Sequence, residues 1–410
     1  MKVLHIATGK TGGARIAAET LVVAQQNLNG MTSHLIPIGE TSQKEKISEY
    51  SKMNSFARKN MGRFYTLFQK INTKNTFGIL STLSIDTLNL NNIAKFNPDI
   101  IHIHNWFNVM SLNGINDLSS TYPLVFTLHD QRLMTGGCHI THDCMGFKDR
   151  CSNCPAIYLG KGLVEKEKKF LNIEFLTRSS YGIISPSRWN IDKFANSTLL
   201  KRAVTTKVIP NVLHAEFYRE FSNQKERQEI IQILFVASNI NEPLKGLRKL
   251  VDALEMLLKE NIGLRETLVL NIIGNGESPK SAILKINFIG PIENSALAEI
   301  MIKMDFCVVP SAVDNFPNTI VECKLKGVFV IGTRTGGIPE LISDNLTGFL
   351  CEKDVKSISE SIAKYLQLND VKKNEIVSKA KEEALKTHGV SEILSRHNSV
   401  YEEVFLSFHK

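Results

Sequence analysis

Residues 309–341 read VPSAVDNFPNTIVECKLKGVFVIGTRTGGIPEL, and this stretch decides the fold. It opens at the end of a continuous apolar run, 306–309, which reads as a strand buried on both faces. A polar loop carrying Asp314 follows. Pro317 fits the first turn of a helix, where its missing N–H costs nothing. Asn318 and Glu322 lie four apart, on one face of that helix, and Gly327 ends it. A second buried strand, 328–331, leads to a Gly336-Gly337 turn and a new helix with Pro339 in its first turn and Glu340 beside it. Two strand-to-loop junctions therefore open on the same edge of a sheet. In open parallel sheets, ligands bind at that edge.

The same alternation extends outward. Apolar runs at 3–7, 34–38, 100–104, 125–129, 182–185 and 207–209 alternate with helix-like segments, and runs at 231–237, 268–273 and 288–289 continue the pattern. An α/β chain with parallel sheets covered by helices on both faces is predicted. The seam falls near Pro210, ahead of the charged stretch FYREFSNQKERQE, so the 410 residues divide into domains 1–210 and 211–390. Two such halves suit a two-domain enzyme or a two-lobed binding protein.

Composition narrows the class. The chain is 43% hydrophobic, without an apolar run near the ~20 residues that span a bilayer. Its opening, KVLHIA, is strand-like rather than a signal peptide. Seven cysteines then favour a reducing cytoplasm over a disulfide framework. A net charge of +8 points to an anionic partner: a nucleotide diphosphate, nucleic acid or an anionic membrane surface. No nucleic-acid partner is expected, because the basic residues gather in one segment without an aromatic-rich β platform. That segment, 42–75, carries Lys44, Lys46, Lys52, Arg58, Lys59, Arg63, Lys70 and Lys74 with Phe56, Met61, Phe64, Tyr65 and Phe68 interleaved. It reads either as a helix lying on an anionic bilayer or as a surface helix with its aromatics turned inward.

Asp314, seven residues, Glu322 and then TGGIPE resemble the E-x7-E region of retaining glycosyltransferases of family 4, and DNFPNT resembles the branch that builds bacterial surface polysaccharides. The resemblance implies the GT-B fold, two Rossmann-like domains with parallel sheets facing across a cleft. The first domain would serve the acceptor, the second would bind the nucleotide sugar, and a last helix, 391–410, would pack back on the first. The activity implied is transfer of a sugar from a UDP- or GDP-sugar to a glycan or a polyprenyl-diphosphate-linked acceptor. The work would be done in the cytoplasm, at or near the inner face of the cell membrane. Alternatives are a catalytically degenerate GT-B protein, a nucleotide-sugar epimerase or phosphorylase, or a sugar-binding protein.

The resemblance also implies site residues. Glu322 would hold the ribose hydroxyls, and Asp314, one methylene shorter than the glutamate of many relatives, would face the sugar. Gly336, Gly337 and Ile338 would offer backbone amides to phosphate or sugar, with Asn318 nearby. Lys245 matches the lysine that holds the donor diphosphate. The arginine usual after the preceding strand is replaced by Ser238 or Asn239, with Arg15 or Lys10 as substitute cations. Gly274 and Asn275 form a turn near the base. In the first domain, Gly12, Gly13 and Arg15 occupy the glycine-rich loop, which also reads as a plain strand–helix turn. His129, just past an apolar strand and followed by Asp130, matches a histidine close to the transferred sugar. No D-x-D motif presents itself for a catalytic metal.

Two clusters lie outside that set. His102 and His104 alternate with isoleucines and share one face, as a metal pair or as satisfied histidines at a strand end. Cys138, Cys144, Cys151 and Cys154 fall within 17 residues, the last two as C-x2-C, with His139 and His142 between. Four thiolates suit a closed tetrahedral structural Zn²⁺; free or redox-active thiols and a nucleic-acid-binding knuckle are the other readings.

Overall fold

The computed structural model describes residues 1–8, 12–28, 31–38, 90–106, 109–220 and 229–410. Lys10 and the basic segment 42–75 lie outside them. The chain divides into two compact units, residues 1–210 with 391–410, and residues 211–390.

The first unit is built on β1 (Lys2–Thr8), β2 (Thr32–Ile38), β3 (Ile100–Ile103), β4 (Leu124–Thr127), β5 (Tyr181–Ser185) and β6 (Thr205–Val208). They pair in parallel in the order β2-β1-β3-β4-β5-β6. The direction of growth reverses at β1, so the switch point lies between the carboxyl ends of β1 and β3, where a doubly wound sheet opens a ligand crevice. β3, β4 and β5 are buried on both faces, which is why they read as continuous apolar runs. The C-terminal helix Val390–Phe408 belongs to this unit. Arg396 donates to the carbonyl of Val208, and Ser180 and Ser407 share a hydrogen bond of 3.1 Å. Gly182 admits the helix: a Cβ there would meet Val404 at 2.8 Å and Val400 at 3.0 Å.

The second unit carries β7 (Ile231–Asn239), β8 (Leu268–Asn275), β9 (Lys285–Gly290), β10 (Phe306–Val309), β11 (Phe329–Thr333) and β12 (Phe349–Cys351). Their order is β12-β11-β10-β7-β8-β9, again all parallel. Read from β9, this is the 3-2-1-4-5-6 order of a dinucleotide-binding fold, with its switch point between β7 and β10. Alternation along β7 divides the core. Ile233 and Phe235 pack with Leu250, Leu254 and Leu258 of the helix Leu247–Glu260. Leu234 faces the other way, in the cluster with Ile320 and Val321 of the helix Asn318–Leu325.

Two local expectations are corrected. Pro317 stands at the N-cap rather than inside the first helical turn, with extended backbone. After Gly336-Gly337 the chain makes only a three-residue 3-10 turn, Ile338–Glu340. Ile338 is drawn under the sheet, fully buried against Gly332, and the chain then moves on to β12. Among the described residues no helix is long and apolar enough to cross a membrane.

Candidate functional site

In the second unit the predicted residues gather at the carboxyl ends of β7, β10 and β11. β7 ends at Asn239, and a 3-10 turn, Pro243–Lys245, leads to Gly246 and the helix Leu247–Glu260. Gly246 has a left-handed φ of 76°, and a Cβ on it would lie 2.0 Å from the carbonyl oxygen of Pro310. Only glycine lets this turn rest on the loop after β10. The amide of Ala312 then donates to Leu244 O at 2.8 Å. From the other side, Thr333 Oγ1 donates to Ser311 O at 2.6 Å and Thr335 Oγ1 to Ala312 O at 3.1 Å. The loop that carries Asp314 is thus clamped between its neighbours.

The clamp brings Lys245 and Asp314 together. Lys245 Nζ lies 2.7 Å from Asp314 Oδ2, with the lysine side chain 31% exposed and the aspartate 13%. The Asp314 carboxylate holds the Lys245 ammonium above its usual pKa. A cation at the start of the helix Leu247–Glu260 is unfavourable by some tenths of a kcal/mol, and Asp314 supplies the compensating anion.

Glu322 sits half-buried on the helix Asn318–Leu325. Among the described residues nothing hydrogen-bonds its carboxylate, and burial pushes its pKa up to about 8. Asn318, four residues earlier, accepts at Oδ1 from Asn211 Nδ2 at 2.9 Å. The three proposed amide donors fare differently, and this is a correction. Gly337 N already donates to Asp314 O at 2.9 Å, and Ile338 N to Thr335 O at 3.2 Å. Only the Gly336 N–H is unspent among the described residues. The loop consumes the other two in its own turn. Gly336 is itself required: its φ is 61°, and a Cβ would meet Asp314 O at 2.0 Å. Gly274, with a Cβ position 1.7 Å from Ala237 O, lets β8 close on β7. There Asn275 Nδ2 donates to Ser238 O at 3.3 Å, and the exposed Asn239 accepts from Asn241 N at 3.1 Å.

In the first unit, Gly12 has φ 143°, and Gly13 begins the helix Gly13–Leu28. Neither would crowd a Cβ. Arg15 does not stand as a spare cation: Nε pairs with Glu19 at 2.7 Å and Nη1 donates to Ala7 O at 3.1 Å. His129 and Asp130 follow β4 and line a small pocket with His104, Asn105, Trp106 and Leu133. His129 Nε2 lies 3.0 Å from His104 Nδ1. Burial lowers its pKa to about 4, so the ring is neutral at pH 7.

The four cysteines are unpaired, and burial raises the pKa of Cys138, with Cys154, Cys151 and Cys144 close enough to add to the rise. Gly146 N donates to Cys144 Sγ at 3.4 Å, and backbone amides of Ala156 and Ile157 reach Cys154. These amide donors favour a thiolate, but burial outweighs them and raises the pKa of both Cys151 and Cys154. The spacing is looser than a bound ion needs: among the described residues the one group with ligand atoms all within 4.8 Å is His5, His102 and His104.

Residues 231–368 match the family described as Glycosyl transferases group 1. A protein of Escherichia coli (strain K12) named for colanic acid biosynthesis, the glycosyl transferase WcaC, is 25% identical over 63% of this chain and 65% of its own. An uncharacterized 41.2 kDa protein in the cps region of Klebsiella pneumoniae is 25% identical over 85% of this chain and 86% of its own. Across the relatives matched with the strongest statistics, the chain spans between about a third and two thirds of their length. The crystal structure of Anabaena HepE in complex with UDP-glucose superposes with a TM-score of 0.62 at 17% identity, covering 98% of this chain and 99% of that one. The fold is GT-B.

The matched group 1 domain contains Lys245, Asp314, Glu322 and the Gly336-Gly337 turn. Sequence reasoning missed what holds them. Gly246 and Thr335 do this, and a glycine directly before a helical pattern was the available signal for the first. It also missed His5 and Gln25, which stand behind His104. A histidine in an apolar strand and a glutamine on the inner face of a helix carry no signal by themselves.

Proposed function

We propose that this chain is a retaining glycosyltransferase of family 4, moving a sugar from a nucleoside-diphosphate sugar to a glycan or a lipid-linked oligosaccharide acceptor in surface-polysaccharide synthesis. One observation carries the reading: the Lys245–Asp314 pair sits at the β7/β10 switch point, with the unsatisfied Glu322 carboxylate on the following helix. Leaving-group departure builds charge on the diphosphate, and Lys245 with the Gly336 amide would stabilise it. Asp314 would then turn from its lysine to the sugar hydroxyls. The Glu322 carboxylate, able to accept from two neighbouring hydroxyls, would hold the ribose. In the first unit, the neutral His129 would hydrogen-bond a substrate hydroxyl.

HepE's UDP-glucose supports a UDP-sugar donor, and the colanic acid and cps-region relatives support a polysaccharide product. No catalytic metal is part of this reading, so turnover is expected to persist in chelator provided the cysteine cluster is left intact. A structural zinc on Cys138, Cys144, Cys151 and Cys154 is proposed separately; their loop would contract to hold it. Metal content below a tenth of an equivalent, in protein never exposed to chelator, would end that idea. The basic, aromatic sequence of residues 42–75 supports a cytoplasmic enzyme at an anionic membrane face. Co-sedimentation with anionic but not neutral vesicles is the expected result.

A donor screen tests the main reading. Purified protein is heated with a panel of UDP-, GDP- and other nucleotide sugars. One donor should raise the Tm, and Glu322→Ala should abolish the rise. No shift with any donor or free nucleotide would remove it. A second reading, donor binding without turnover, draws on Asn239 where a basic residue is usual, and predicts the Tm shift with no release of nucleoside diphosphate.

A further inference from the structure

Behind His129, in the first unit, runs an unbroken line of buried hydrogen bonds. His129 Nε2 is 3.0 Å from His104 Nδ1. His104 Nε2 is 3.0 Å from His5 Nδ1, and His5 Nε2 is 2.9 Å from Gln25 Oε1. His5 and Gln25 are fully buried, and His104 is 5% exposed. The line crosses the β1/β3 switch point, since His5 lies on β1 and His104 follows β3.

Burial keeps these rings neutral: the pKa of His5 falls to about 3 and that of His104 well below its usual value. A neutral imidazole has one N–H and one lone pair, so the proton's place on one ring dictates its place on the next. The Gln25 amide stands with its oxygen toward His5, and this sets the sense. Its Nε2 donates to Tyr401 OH at 3.1 Å and its Oε1 accepts from Ser33 Oγ at 2.8 Å. His5 must carry its proton on Nε2 and accept at Nδ1, so His104 donates from Nε2 and accepts at Nδ1. That nitrogen can only receive from His129 Nε2–H.

A side branch runs on in the same sense. Tyr401, having accepted from Gln25, donates to His102 Nδ1 at 2.8 Å, and His102 Nε2–H reaches Thr127 Oγ1 at 2.7 Å. Both ring nitrogens of His5, His102 and His104 are thereby engaged. This is why the three do not read as a metal site although their ligand atoms cluster within 4.8 Å.

We infer that His104, His5 and Gln25 are positioning residues that fix His129 as the Nε2-protonated tautomer, so that its Nδ1 carries a lone pair and no proton. Such a ring can accept a hydrogen bond at Nδ1 and cannot donate one there. The consequence for turnover rests on the glycosyltransferase reading; the tautomer does not.

The test is nitrogen-15 NMR of the histidine rings in the full chain at pH 7, with no substrate. His129 should be protonated on Nε2 alone. His5→Phe removes the acceptor of His104, lets that ring reverse, and should make the Nδ1-protonated form of His129 appear. His5→Gln, whose amide can both donate to Gln25 and accept from His104, should keep the original tautomer. If His5→Phe does not fold, Gln25→Leu removes the acceptor at the far end and should give the same mixture. Turnover in the folded variant should drop at least tenfold with donor affinity unchanged. A wild-type His129 protonated on Nδ1, or a tautomer indifferent to both cutting variants, would overturn the inference. A fixed tautomer in a protein that turns over no donor would instead sink the enzymatic reading and leave this one standing.

Discussion

Glu322 keeps its proton into the neutral range because burial penalises the charge and no described residue donates to it. The linkage has a definite sign. Below the unfolded value of 4.5 both states are protonated; between 4.5 and about 8 only the folded chain holds the proton. Stability is therefore lost as pH rises through that window. Thermal melts of Glu322→Gln should show a flatter pH profile than the wild type between pH 5 and 8; superimposable profiles would mean the carboxyl is already ionised. Ribose hydroxyls donating to Glu322 would expel the proton, so calorimetry in buffers of different ionisation enthalpy should find nearly one proton released per donor bound at pH 7. Asp314→Asn should leave donor affinity intact, since Lys245 loses its competitor, while turnover drops about a hundredfold through lost positioning. Asp314, Glu322 and Lys245 could be named as candidates from the resemblance. The Lys245–Asp314 bond could not be foreseen, because its partners are 69 residues apart and meet only once the strand order is known.

Between strands, the site depends on backbone contacts that exclude a side chain. Gly246→Ala would force a left-handed φ on alanine and push a methyl onto Pro310 O. A destabilisation of about 1–3 kcal/mol is expected, read as a fall in denaturation midpoint, together with weaker donor binding as Lys245 shifts. A variant with wild-type midpoint would show that the two loops are not coupled through this glycine. Apolar alternation was enough to predict parallel sheets, because strands buried on both faces leave that trace. It could not give their order, and the order decides which loops are neighbours. The fate of the Gly337 and Ile338 amides was equally hidden: a turn that consumes its own donors has the same letters as one that offers them.

At the scale of the chain, two parallel sheets, a group 1 domain over residues 231–368 and a GT-B superposition over nearly the full length agree on the architecture. The class was legible because so much of the sequence is strand-and-helix punctuation. Donor, acceptor and linkage were not, since they depend on a few contacts that any GT-B chain can vary. The most direct measurement is release of nucleoside diphosphate from the donor selected by thermal shift, in chelator mild enough to leave the cysteine cluster intact. Wild-type protein should release it, with Lys245→Ala and Asp314→Asn each at least a hundredfold slower. Release that is absent in the wild type, or unchanged in both variants, would contradict the assignment of the β7/β10 switch point as the seat of the reaction.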